Sequence, residues 1–239
     1  MEEFTPLPPV YLPFMYGMLR VVVYSAITAL LFFIAYINAI TTGTFGETSV
    51  VEIAQSIILL VIIAIFANCA LKISALSNSA WLLATFATAS LIRENDVWLD
   101  MLFDGGWQIL VMLVVSAGLI QAYRNREELF AEQQIYTEST SFGLLAGALI
   151  TTYVFSRLFG MGRFWQTVMQ DAYMRPVKDV SEECVELFGY GLLLCAAIEF
   201  FVLARRIEGA CFNSMRMKLP STMFHIKPQH STQNSNNAS

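Results

Sequence analysis

Residues 53–72 read IAQSIILLVIIAIFANCALK, and only Gln55, Ser56, Asn68 and Lys72 interrupt an otherwise apolar run. As an α-helix, 20 residues rise about 30 Å, which is the thickness of a bilayer's hydrocarbon core. Inside lipid each backbone N–H and C=O must find its partner within the segment or within a closed barrel. An unbroken apolar run of this length is therefore read as a membrane-spanning helix. The fold then depends on how many such runs the chain carries.

Counting outward gives six, at about 18–40, 53–72, 75–93, 106–123, 141–159 and 184–204. The third is the weakest in hydropathy, being rich in Ala, Ser and Thr around Trp81. Small residues let helices approach closely, so this span is expected within the bundle. The composition agrees: of 239 residues 56% are hydrophobic and 14% charged, with mean hydropathy +0.57, whereas soluble domains are about a quarter charged. The predicted fold class is all-α, a polytopic integral membrane protein built as a compact bundle of about six transmembrane helices.

Two connections also carry helical patterns. Between about 161 and 175, Met161, Phe164, Trp165, Val168, Met169, Ala172 and Tyr173 form an i, i+3, i+4 stripe opposite Arg163, Gln166, Gln170 and Asp171. Such a pattern predicts a helix lying in the interface, ended by Pro176. In residues 93–106, RENDVWLDMLFDGG, Asp96, Asp100 and Asp104 recur every four positions opposite Trp98, Leu99, Leu102 and Phe103. A second short interfacial helix, about 94–104, is expected there. Residues 1–17 form a Pro-rich start without the basic region of a cleavable signal. Residues 210–239 are expected to be a polar, disordered tail, leaving 18–209 as the transmembrane domain.

Six spans put both termini on one side. That side carries Arg20, Lys72, Arg124, Arg126, Arg205, Arg206, Arg216 and Lys218, against Arg93, Arg157, Arg163, Arg175 and Lys178 on the other. The excess favours cytoplasmic termini, in a plasma-type membrane. A basic interfacial helix on the non-cytoplasmic side pulls the other way. The lipid bilayer is the expected partner. A net charge of −5 and a pI near 5.1 argue against nucleic acid.

Several chemistries are excluded by residue type. The two histidines, His225 and His230, fall in the tail, which argues against axial haem ligation and His-ligated zinc within the bundle. No nucleotide-binding glycine loop and no GxSxG elbow is present. The four cysteines lack metal-ligand spacing; Cys69 and Cys195 sit inside apolar runs, and Cys184 and Cys211 lie about 40 Å apart along one helix, a poor disulfide pair.

What remains is a set of carboxylates and arginines. Glu94, Asp96, Asp100 and Asp104 border spans three and four. Glu182, Glu183 and Glu186 enter span six, and Glu199 lies within it. A carboxylate in hydrocarbon is costly, so Glu186 and Glu199 are expected to face protein or water. About 100° per residue sets them roughly 140° apart, so one helix does not aim both at one site. Arg93, Glu94, Asp96, Asp100, Glu183, Glu186 and Glu199 are the candidates for binding an ion or ligand. Asp96, Asp100, Glu183 and Glu186 are the ones that would hold a hard divalent metal, if one is bound. A structural alternative pairs the acids with Arg93, Arg157, Arg163 and Arg175. Gly143 and Gly147 form a GxxxG in span five, a face for close packing against a helix of this chain or of a second copy.

Two functions are compatible with this inventory. One is a non-enzymatic protein, transporter-like, channel-like or an accessory membrane subunit, with a carboxylate and arginine cluster at one membrane face. The other is a membrane-embedded lipid-acting enzyme using a carboxylate-bound divalent metal.

Overall fold

The computed structural model describes residues 11–41, 43, 45, 49–101 and 104–218. Residues 1–10 of the Pro-rich start, Leu102, Phe103 and the tail from 219 with both histidines lie outside them. Among the described residues there are helices and no strands, and six helices are long and apolar enough to cross a membrane. The protein is an all-α bundle of a polytopic membrane protein.

The helices are α1 (Tyr11–Thr41), α2 (Val50–Lys72), α3 (Ser77–Glu94), α4 (Asp96–Asp100), α5 (Gly106–Arg124), α6 (Arg126–Tyr136), α7 (Thr140–Phe159), α8 (Gly162–Met169) and α9 (Arg175–Lys218). Local chemistry sets their limits. Ser49 caps α2, its hydroxyl accepting from Glu52 N at 3.2 Å, with Glu52 in the first turn and Lys72 in the last, each where the helix dipole favours it. Ser139 caps α7 in the same way through Phe142 N. Gly105 precedes α5 with φ 77, a left-handed conformation that glycine adopts without steric cost.

Inner and outer helices differ in burial. The core joins Leu59, Ile62 and Phe66 of α2, Ala80, Ala84 and Ala87 of α3, Leu145 and Ala148 of α7, and Tyr190, Leu193, Ala197, Phe200 and Ala204 of α9. The alanines of α3 recur every three or four residues and bring its backbone close to its neighbours. Helix α9 is the axis, with 61% of its spanning window buried, against 11% for α1 and for α5. It admits neighbours at Gly189 and Gly191, where a Cβ would overlap Thr152 of α7 and Leu31 of α1. The outer faces of α1 and α5 carry exposed Phe32, Phe33, Ile40, Met112 and Leu113, the surface expected against lipid.

Three elements differ from the sequence expectation. The interfacial pattern at 161–175 forms α8 and a 3₁₀ turn, Gln170–Ala172, and Arg175 already belongs to α9. Pro176 sits in the first turn of α9, where its missing N–H is not needed, so it starts a helix. The expected helix at 94–104 is the five-residue α4. The last helix continues to Lys218, so residues 210–218 are helical.

Between α5 and α7 stands α6, which hydropathy does not announce. Its inward stripe is Leu129, Glu132, Gln133 and Tyr136, with Glu132 and Tyr136 buried. Tyr136 packs edge-on against Phe142 and Phe200, with ring centroids at 5.6 and 5.2 Å. Burial pushes its phenol up to about 12.

Candidate functional site

At the end of the bundle that holds α4 and α8, polar side chains of α2, α3, α7 and α9 meet inside the protein. Helix α3 supplies Ser90, Arg93 and Glu94 from one face of its last turns. Helix α9 supplies Lys178, Glu182, Glu186 and Tyr190 at every fourth position, with Glu183 beside them. Helix α7 supplies Tyr153, Ser156 and Arg157 from within or just after a π-helical stretch, Ile150–Phe155. A π turn carries an extra residue and rotates the next turn of the helix about its axis. Here Tyr153 lies against α3 while Ser156 and Arg157 reach α9.

The partners are specific. Glu94 pairs with Arg93 and accepts from the Tyr190 hydroxyl at 2.6 Å. Tyr153 shares a 2.6 Å hydrogen bond with Ser90 and stacks edge-on with Phe86, and the Arg93 guanidinium lies 5.9 Å from its ring centroid. Arg157 bridges Glu182 at 3.2 Å and Glu186 at 2.8 Å, while Ser156 Oγ lies 3.2 Å from Glu186. Lys178 joins Glu182 and Asp179, and Arg175 reaches Asp179 at 3.7 Å from an exposed position. Glu183 receives Gln55 Nε2 at 3.1 Å on its carboxylate and at 3.4 Å on its backbone carbonyl. Among the described residues no cation pairs with it.

The other sequence candidates lie elsewhere. Asp96 accepts from Val97 N, and Asp100 from Gly105 N, both local backbone contacts. Among the described residues no three His, Cys, Asp or Glu side chains converge as a metal site requires, so Asp96, Asp100, Glu183 and Glu186 are not brought to one point. Arg163 is exposed and has no ion pair among the described residues. Its helix is pinned instead by Trp165 Nε1 donating to Phe159 O at 2.7 Å. Glu199 is buried near the opposite end, where Arg20 Nε at 2.9 Å and the Tyr24 hydroxyl at 2.6 Å hold it. Around Gly143 and Gly147 nothing lies within 4 Å of where a Cβ would stand, so no helix among the described residues packs on that face. None of the four cysteines is joined in a disulfide.

Sequence reading passed over Gln55, Tyr153, Ser156 and Tyr190. Gln55 carried a signal: it is a long polar side chain inside the most aliphatic run, and it is fully buried. Glu132 was missed as well. Its carboxylate accepts from Ser79 N and Oγ, both at 2.7 Å, and from Asn78 N and Nδ2 at 3.2 and 3.0 Å. It caps α3 from outside that helix.

A cleft of about 230 Å³ opens beside the network, lined in part by Glu52, Ser56, Glu94, Asn95 and Trp98. Glu94 thus belongs both to the buried network and to the wall of this cleft. No family model, curated protein or solved structure matches the chain.

Proposed function

We propose that this chain is a non-enzymatic, transporter-like membrane protein that takes up a cation at the carboxylate-rich network of its α8 end. The observation that carries the reading is a charge imbalance. Five carboxylates, Glu94, Asp179, Glu182, Glu183 and Glu186, meet four cations, Arg93, Arg157, Arg175 and Lys178. Arg175 is largely exposed, which weakens even its share of the compensation. An acid-rich site with low-dielectric walls concentrates cations. Arg157 stands between Glu182 and Glu186, and Lys178 between Glu182 and Asp179, so cations separate these carboxylates, which suits ion or proton uptake better than a paired nucleophile and base.

The count of loop cations supports both termini in the cytoplasm of a plasma-type membrane, with the network facing outward. The open Gly143 and Gly147 face suits contact with a second copy of the chain, by the close-approach chemistry of small residues.

Reconstitution tests the reading. In proteoliposomes the protein is expected to move protons or a metal cation faster than protein-free vesicles do, and E186Q is expected to slow that movement. Flux equal to that of empty vesicles, with no cation changing the thermal stability of the purified protein, would overturn it.

A further inference from the structure

Glu183 stands apart from the other acids of the network. Arg93 is engaged by Glu94, and Arg157 by Glu182 and Glu186. The charges that act most strongly on Glu183 are those of Glu94 from α3, Glu52 from α2 and Glu182 from its own helix. Among the described residues α1 has one charged side chain, Arg20, and it is bound to Glu199 near the other end of the bundle. The charges that act most strongly on Glu183 are therefore negative, and its donor, the amide of Gln55, is neutral.

Gln55 is the second observation. It is fully buried between the two apolar clusters of the bundle, and its Oε1 has no hydrogen-bond partner among the described residues. A buried amide oxygen left unpaired costs on the order of 1–3 kcal/mol. In the arrangement seen, Nε2 serves Glu183 and Oε1 serves nothing. Exchanging the two ends of the amide would set Oε1 beside the Glu183 carboxylate. Two acceptors side by side repel, unless a cation lies between them or a proton on the carboxyl joins them.

We infer that Glu183 and Gln55 form a buried site for one monovalent cation, a proton or Na⁺, close to the Glu52 and Glu94 carboxylates. The inference rests on the cation-handling reading and names its ion class and its ligands. A single carboxylate with amide and carbonyl oxygens balances one positive charge. A divalent ion would ask for more carboxylates, and among the described residues no three converge. Either occupant satisfies the amide oxygen and neutralises the acid at once. Of the neighbouring groups, Glu186 is paired with Arg157, Arg93 with Glu94, and Tyr190 donates to Glu94, while the Cys184 thiol carries no charge near neutral pH.

A hydrophobic carbodiimide tests this on the unaltered full chain. The reagent takes a protonated carboxyl: the O–H adds across its C=N bond, and the acyl adduct is read by mass spectrometry. Modification is expected at Glu183, declining as pH rises and the proton leaves. It is expected to slow about tenfold at a Na⁺ concentration ten times Kd, as simple occupancy requires. Protection by Na⁺ assigns the site to both ions, and pH dependence that ignores Na⁺ assigns it to the proton alone. Q55L is expected to keep the labelling and lose the Na⁺ protection. Labelling of Glu183 indifferent to both pH and Na⁺, or none at Glu183 while other buried acids react, overturns the inference. Cation flux that persists in E183Q removes the site but leaves the transport reading. Protected Glu183 without any flux does the reverse.

Discussion

Glu132 and Glu183 are both acids turned into the protein, at opposite ends of the same bundle, and they differ in what surrounds them. Glu132 takes four hydrogen bonds from Asn78 and Ser79 and completes the N-terminus of α3. Glu183 takes one side chain, the Gln55 amide. Burial alone does not separate a structural carboxylate from a binding one. The number of donors aimed at it does. A saturated acid has no lone pair to offer, whereas an acid with one neutral donor among like charges is held ready for a positive partner.

Replacement of Glu132 should produce the largest loss. E132A strands the Asn78 and Ser79 N–H groups at the start of a core helix, and about 3 kcal/mol of destabilisation is expected from losing several charge-assisted bonds. Thermal unfolding in detergent measures it. Glu199 is intermediate, with two partners, one of them the partly exposed Arg20. E199Q keeps an acceptor for Tyr24 and loses the ion pair, so about 1 kcal/mol is expected, and less at high salt. E183Q should cost least, within about 0.5 kcal/mol, because it removes an unbalanced charge. If E183Q unfolded the protein as readily as E132A, the two carboxylates would be equivalent and the contrast between the ends would disappear.

The six spans were legible because hydrocarbon thickness dictates their length and the cost of bare backbone dictates their form. The buried position of α3 could be read from its alanines and serines. Helix α6 could not, because two of its four inward positions are Glu132 and Gln133, and a search for apolar periodicity passes over them. Pro176 was ambiguous in principle: the same ring ends one helix and starts another, and only the chain on either side decides. At the candidate site, the sequence named Arg93, Glu94, Glu183 and Glu186, since a charge in an apolar stretch is conspicuous. It did not reveal that Asp96 and Asp100 serve local backbone groups, or that the π turn in α7 directs Ser156 and Arg157 toward α9. Those depend on helix rotation, which composition does not encode.

Helix α9 has 44 residues and is therefore about 66 Å long at 1.5 Å per residue, roughly twice the depth of the oily layer it crosses. About a third of the way along it, Thr152 and Leu31 press against bare backbone at Gly189 and Gly191, which gives the rod a fulcrum. A tilt of about 5° around that point, on arms of about 22 Å toward Arg175 and about 42 Å toward Lys218, carries the tips sideways by about 2 and about 4 Å in opposite directions. A rigid helix pivoting there would swing the arm that bears Glu183 and the arm that bears Glu208, at the opposite end of the bundle, in opposite directions.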